Sequence, residues 1–219
     1  MRVNSVRETR FLAALGLLAT GLLGLGCEPG GVGDPCVPED EYITNFSGFS
    51  EDQVNVESRS FQCLTRVCLV NHFQGRVSCP YGQTEETANL CKENPSRCAP
   101  GGDLYAQSCR LPGQDGSDAS DQITVPVLPQ RVERTANRAV YCSCRCAGPD
   151  PNANYCECPS GFQCTELVDN LGIGRGQLAG SYCIKNGTRF DEDASPGPTC
   201  SPADGGNCGN GGANPPEAE

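Results

Sequence analysis

The chain contains no tryptophan, one histidine (His72) and one methionine (Met1). It contains no C-x-x-C and no G-x-S-x-G. The first absence removes the zinc-ribbon and thioredoxin-type spacings. The second removes the hydrolase nucleophile elbow, and any histidine-based triad would have to use His72. Large apolar side chains are also scarce. Beyond residue 26, Leu, Ile, Val and Phe make up about a sixth of the residues, under the ~20% below which a strongly charged chain is expected to stay disordered. Positive charge is in deficit: 16 Lys plus Arg stand against 27 Asp plus Glu, a net charge of −11. This deficit disfavours nucleic acid and anionic lipid heads as partners, because both need clustered Lys and Arg. No cofactor or metal ion is expected.

Cysteine, by contrast, is abundant, with seventeen residues. An exported chain can pair an even number; seventeen leaves one over. The N-terminus offers a place for it. Arg2, Arg7 and Arg10 precede an uncharged apolar run from Phe11 to Leu25. That order defines a secretory signal over residues 1–26. As a helix the run would extend about 22 Å, short of a bilayer core. It ends in Leu23-Gly24-Leu25-Gly26-Cys27. This segment resembles the lipobox of bacterial lipoproteins, with glycine at −1 and Gly24 where leucine is usual. The resemblance implies cleavage before Cys27, diacylglycerol on its sulfur and a membrane anchor; Glu28 at the second mature position implies the outer membrane. The alternative is ordinary signal cleavage after small residues, giving a secreted chain. Residues 27–35 are polar and rich in Gly and Pro, as a flexible tether should be.

The sixteen other cysteines are Cys36, Cys63, Cys68, Cys79, Cys91, Cys98, Cys109, Cys142, Cys144, Cys146, Cys156, Cys158, Cys164, Cys183, Cys200 and Cys208. All are disulfide candidates. The expected fold is small and disulfide-rich, mainly β with short helices and much irregular structure, in an oxidising compartment. A cysteine-rich domain spans 36–190 in two lobes, 36–109 and 122–190, with seven cysteines each. The polar stretch PGQDGSDAS (112–120) between them reads as a linker or exposed loop. The acidic Gly/Pro-rich tail, 191–219, holds Cys200 and Cys208 and is expected to be irregular or disordered. If those two pair together, parity demands an odd number of bridges between the lobes.

Local signals are modest. VCLV (67–70) and RVSC (76–79) around Gly75 predict a hairpin. ITVPV (123–127) predicts an edge strand, because Pro126 lacks an N–H. AVYCSCRC (139–146) alternates. Its period of two places Val140, Cys142, Cys144 and Cys146 on one face, too poorly aligned to pair among themselves. YCECP (155–159) is expected to join it as a hairpin. Helices are predicted at 84–93, from early acids and a late lysine, and at 165–171 before Gly172. LAGSYCI (178–184) reads as a strand.

Other motifs have ordinary readings. CECPSGFQC (156–164) resembles the end of an epidermal-growth-factor-like module, but only Gln163 separates its aromatic from the last cysteine. What carries over is turn chemistry, with Gly161 at the bend and Phe162 as a core plug. GRGQLA (174–179) matches a loose dinucleotide pattern without the strand-first context. DPNAN (150–154) begins like a calcium loop, but Tyr155 stands where Gly is needed and Gly161 where Glu is needed. His72 is expected at the surface. The reading is a lipid-anchored, non-catalytic envelope or surface protein whose partners are the membrane, through its lipid, and a protein or polysaccharide ligand. The alternatives are a secreted inhibitor-like module and a metal or redox protein.

Overall fold

The computed structural model describes residues 30–169, 178–204 and Cys208. The signal segment, Cys27, most of GRGQLA and the end of the tail lie outside the described residues. Among these residues, six short strands form two three-stranded antiparallel sheets. The first has the order β1 (Val54–Glu57), β2 (Val67–Asn71), β3 (Val140–Ser143). The second has the order β4 (Arg145–Ala147), β6 (Gly180–Lys185), β5 (Phe162–Val168). This is a small disulfide-rich fold, mainly β, with short helices and much irregular structure.

β2 is central because both of its faces are apolar. Cys68 and Val70 enter a core with Cys36, Phe49, Cys63, Phe73, Val140 and Cys142. Leu69 faces the other way, into a cluster with Tyr141, Tyr182 and Ile184 that joins the two sheets. The predicted 67–70/76–79 hairpin therefore does not form. β2 pairs instead with β1 and, through Cys68↔Cys142, with β3. His72 and Gly75 adopt φ of +49° and +86° and turn the chain away. A Cβ on Gly75 would meet the Leu128 carbonyl oxygen, so glycine is required there.

The alternating run around Cys142 divides between the sheets. Ser143 ends β3, and its Oγ donates to the Cys183 carbonyl at 2.8 Å. Cys144 accepts from the Cys183 N–H at 3.1 Å, and Arg145 begins β4. Residues 155–159 form no strand; the Cys156 N–H donates to Arg145 O at 3.1 Å, and a disulfide to Cys144 holds the segment. Residues 165–168 belong to β5, not to a helix, because Thr165 pairs with Tyr182 and Cys164 with Cys183. Tertiary pairing outweighs local propensity there.

Helix α1 (Glu85–Glu93) forms as its caps dictate. Thr84 Oγ1 accepts from the Thr87 N–H at 3.1 Å, Glu85 and Glu86 fill the first turn, and Lys92 sits in the last. α1 buries Thr87, Ala88 and Cys91. Helix α2 (Ala136–Ala139) is a single turn leading into β3.

Residues 123–127 form no strand: their backbone pairs with other segments at the two ends, where the Ile123 N–H donates to Cys109 O at 3.0 Å and Val127 bridges Gln83. The side chain of Gln83 replaces a partner strand. Its Nε2 donates to Ile123 O at 2.8 Å and Val125 O at 2.7 Å, and its Oε1 accepts from the Cys109 N–H at 2.7 Å. Pro126 needs no acceptor, and the one amide serves the two carbonyls between the backbone-bonded ends. The 112–120 stretch is an ordered exposed loop, tied down where Gln122 Nε2 donates to Gly116 O at 2.9 Å. The tail is irregular to Asp204 and hooks onto 130–132 through Cys200 N–H to Gln130 O and Val132 N–H to Pro198 O.

Candidate functional site

The sixteen candidate cysteines form eight bridges: Cys36–Cys68, Cys63–Cys142, Cys79–Cys109, Cys91–Cys98, Cys144–Cys156, Cys146–Cys164, Cys158–Cys183 and Cys200–Cys208. One bridge, Cys63–Cys142, joins the two seven-cysteine sets. Cys142, Cys144 and Cys146 each bond to a different segment.

The second sheet gathers three bridges. Cys183 Sγ lies 3.6 Å from Cys144 Sγ and 3.8 Å from Cys156 Sγ. The triplets Cys144/Cys156/Cys183 and Cys146/Cys158/Cys183 have metal-ligand proximity, as does Cys36/Cys63/Cys142. Metal ligation needs thiolates, and every one of these sulfurs is already in an S–S bond. The clusters therefore act as packing, filling the interior that a chain poor in leucine and isoleucine leaves open.

The remaining motifs resolve into structure. Asp150 Oδ1 accepts from the Asn152 N–H at 2.9 Å, and Tyr155 Oη donates to Asp150 O at 2.7 Å, so DPNAN is a side-chain-stabilised turn. Gly161 sits at φ +89° at the bend. Phe162 meets the Tyr141 ring edge-on at 5.8 Å between centroids.

His72 is half-buried, not a surface loop residue. Its ring stacks on Phe190 at 4.1 Å, and Nδ1 lies 2.7 Å from Glu51 O. Its backbone carbonyl accepts from Arg134 Nε at 2.7 Å. Burial lowers its pKa below the ordinary 6.5, against the pull of the Glu51 carbonyl and with help from Arg134. The unfolded chain then binds the proton more tightly, so this contribution to stability is present above about pH 6.5 and shrinks as pH falls toward the folded value. His72→Asn, which tolerates positive φ, is expected to flatten that slope. Denaturant melts of both chains between pH 5 and 8 check it, because their difference cancels the carboxylates common to both.

Two features carry no motif signal. One is Glu41 with Arg76, an ion pair buried in the interior at 3.9 Å. The other is the loop SRSFQCLTR (58–66), which leaves Phe61 78% and Leu64 64% exposed. Its only legible sign is two arginines and no acid in an acidic chain.

No family model, no curated protein and no solved structure matches this chain.

Proposed function

We propose that the protein is a lipid-anchored, non-catalytic envelope or surface protein, held to a membrane outside the cytoplasm by diacylglycerol on Cys27 and serving a binding or structural role. One observation carries the reading. The sixteen other cysteines are all bonded to one another, so Cys27 has no intrachain partner left. An odd thiol at the end of a secretory signal, after Gly26, is placed for acylation. Eight disulfides in a chain this poor in apolar residues call for an oxidising compartment. No helix among the described residues is long and apolar enough to cross a membrane, so the lipid supplies the attachment. A triad on His72 is disfavoured: Nδ1 faces a backbone carbonyl and the ring face is covered by Phe190.

The expected result is that the wild-type chain fractionates with detergent-soluble membranes and Cys27→Ser is released. Intact mass before and after alkylation should show cleavage before Cys27, the added acyl mass and eight bridges. A wild-type chain that is fully soluble and carries no acyl mass overturns the proposal.

A further inference from the structure

The loop at residues 58–66 exposes two large apolar side chains on a rigid support. Between them, buried Cys63 is bonded to Cys142 in β3. Gln62 clamps the Val37 backbone from both sides: its Oε1 accepts from the Val37 N–H at 3.0 Å, and its Nε2 donates to Val37 O at 2.8 Å. Thr65 Oγ1 donates to Ser143 O. The loop closes on itself through Ser60 N–H to Arg66 O at 3.1 Å and Arg66 N–H to Cys63 O at 2.9 Å. Phe61 and Leu64 are thus held outward by a fixed backbone. They are the two most exposed of the large apolar side chains among the described residues, and their grouping on one fixed loop makes it a candidate contact surface.

The position of the loop identifies the contact. Gly30 donates to Gln62 O at 2.7 Å and accepts from the Leu64 N–H at 2.9 Å, in a bridge to Cys63. Gly30 is only three residues after Cys27. At ~3.3–3.6 Å per extended residue, the anchoring residue is covalently confined to within about 11 Å of this loop. A lipid on Cys27 therefore brings a bilayer interface to Phe61 and Leu64, whatever path the intervening residues take. The charge fits the same partner. Arg59 and Arg66 are exposed and flank the apolar pair, with no acid between 58 and 66. The Arg66 guanidinium lies 4.1 Å from the centroid of the Phe61 ring. An aromatic with an arginine over it suits the boundary between acyl chains and phosphates, where the ring goes in and the cation stays out.

We propose that Phe61 and Leu64, flanked by Arg59 and Arg66, form a membrane-docking face that inserts into the anionic phospholipid interface of the same bilayer that holds the Cys27 lipid. The proposal rests on the lipid-anchor reading. It revises the expectation that acyl chains alone touch the membrane. Net charge describes the whole surface, whereas docking depends on the local patch. The two acyl chains of the diacylglycerol hold the protein at the bilayer, and a polypeptide contact alongside them fixes its orientation.

The chain has no tryptophan, so one can be introduced against a silent background. The acylated full chain is reconstituted into vesicles of phosphatidylethanolamine and phosphatidylglycerol, with or without brominated acyl chains. Phe61→Trp is compared with Leu128→Trp, a position of similar exposure at 62%. The expected result is emission quenched by brominated lipid at least threefold more for Phe61→Trp than for Leu128→Trp. Both chains must float with vesicles and retain eight bridges by mass. Flotation with no lipid quenching of Phe61→Trp, and full quenching by aqueous acrylamide, overturns the docking face and assigns the patch to a protein ligand; the anchor then stands. Failure of the wild-type chain to float, with no acyl mass, removes the anchor and this proposal together, and is seen before any fluorescence is read.

Discussion

Replacing Cys63 and Cys142 together by alanine is expected to cost about 4–5 kcal/mol, more than removal of any other single bridge. The two residues are 79 apart in sequence. In the chain-entropy account, a loop of that length restricts the unfolded ensemble by about 4.5 kcal/mol. Cys91–Cys98 spans only seven residues, and the same account gives about 2–2.5 kcal/mol. For a domain of this size the melting temperature should fall by about 10–18 °C in the first case and about 4–10 °C in the second. Alanine is preferred to serine because both sites are fully buried in the first core, where an unpaired hydroxyl adds its own penalty. The gap has a structural reason as well as a polymer one. Cys63–Cys142 is the only bridge that ties the 36–109 cysteine set to the later one, and it lies beside the β2–β3 pairing. Calorimetry of the two double variants checks the order. Equal losses would show that loop length is not what sets the contribution of these bridges.

The same long-range link is what local sequence does not encode. The 84–93 helix was legible because its determinants are local: Thr84, two early acids and Lys92 lie within one segment. The strand at 178–184 is legible in its own segment, as a short run ending in Tyr, Cys and Ile, and is observed at Gly180–Lys185. The parity of the cysteines foretold an odd number of crossings, yet nothing local identifies Cys63 and Cys142 as the pair. The β2 segment signals a strand locally, but the nearest candidate partner, 76–79, is not its neighbour. Its true partner β3 lies some seventy residues onward, and only packing on both faces of Leu69 and Val70 selects it. Residues 165–168 carry helix-forming Glu and Leu, and the register with β6 overrode them. ITVPV lost its strand to a glutamine forty residues upstream, a substitution of side-chain amide for backbone ladder that no periodicity announces. The site was less legible than the fold. Phe61 and Leu64 are apolar residues that sequence would bury; their exposure follows from Cys63 being buried between them and Gln62 being tied to the Val37 backbone.

Arg76→Met is expected to destabilise the protein by about 3–5 kcal/mol at pH 8, the usual cost of breaking a buried ion pair from one side. The sequence predicts Arg76 in a hairpin strand; it is fully buried instead. Its guanidinium donates to Phe46 O at 2.7 Å, to Ile43 O at 3.2 Å and to the Glu41 carbonyl. Removing it leaves those carbonyls unpaired and a carboxylate without its cation. Glu41 has other partners: its side chain accepts from the Val77 N–H, from the Ser78 N–H at 3.0 Å and from Ser78 Oγ at 2.8 Å. Burial still raises its pKa above the ordinary 4.5, against those hydrogen bonds and the pull of Arg76. Losing Arg76 removes one restraint and drives the carboxyl further up. A group raised in the folded state favours folding while protonated and loses that contribution as pH rises through its folded pKa. The Arg76→Met penalty should therefore be smaller at pH 5 than at pH 8, because the lone carboxyl can take up a proton instead of holding an isolated charge in the interior. Glu41→Gln should cost less than Arg76→Met at pH 8, since it keeps one acceptor for the Val77–Ser78 turn and removes the negative charge. It leaves Arg76 as the buried ion, but with three carbonyls around it. Denaturant-induced unfolding of the two variants at both pH values tests this. A penalty for Arg76→Met that is flat with pH would mean the cost lies in the lost carbonyl contacts alone and that Glu41 keeps its charge without the guanidinium.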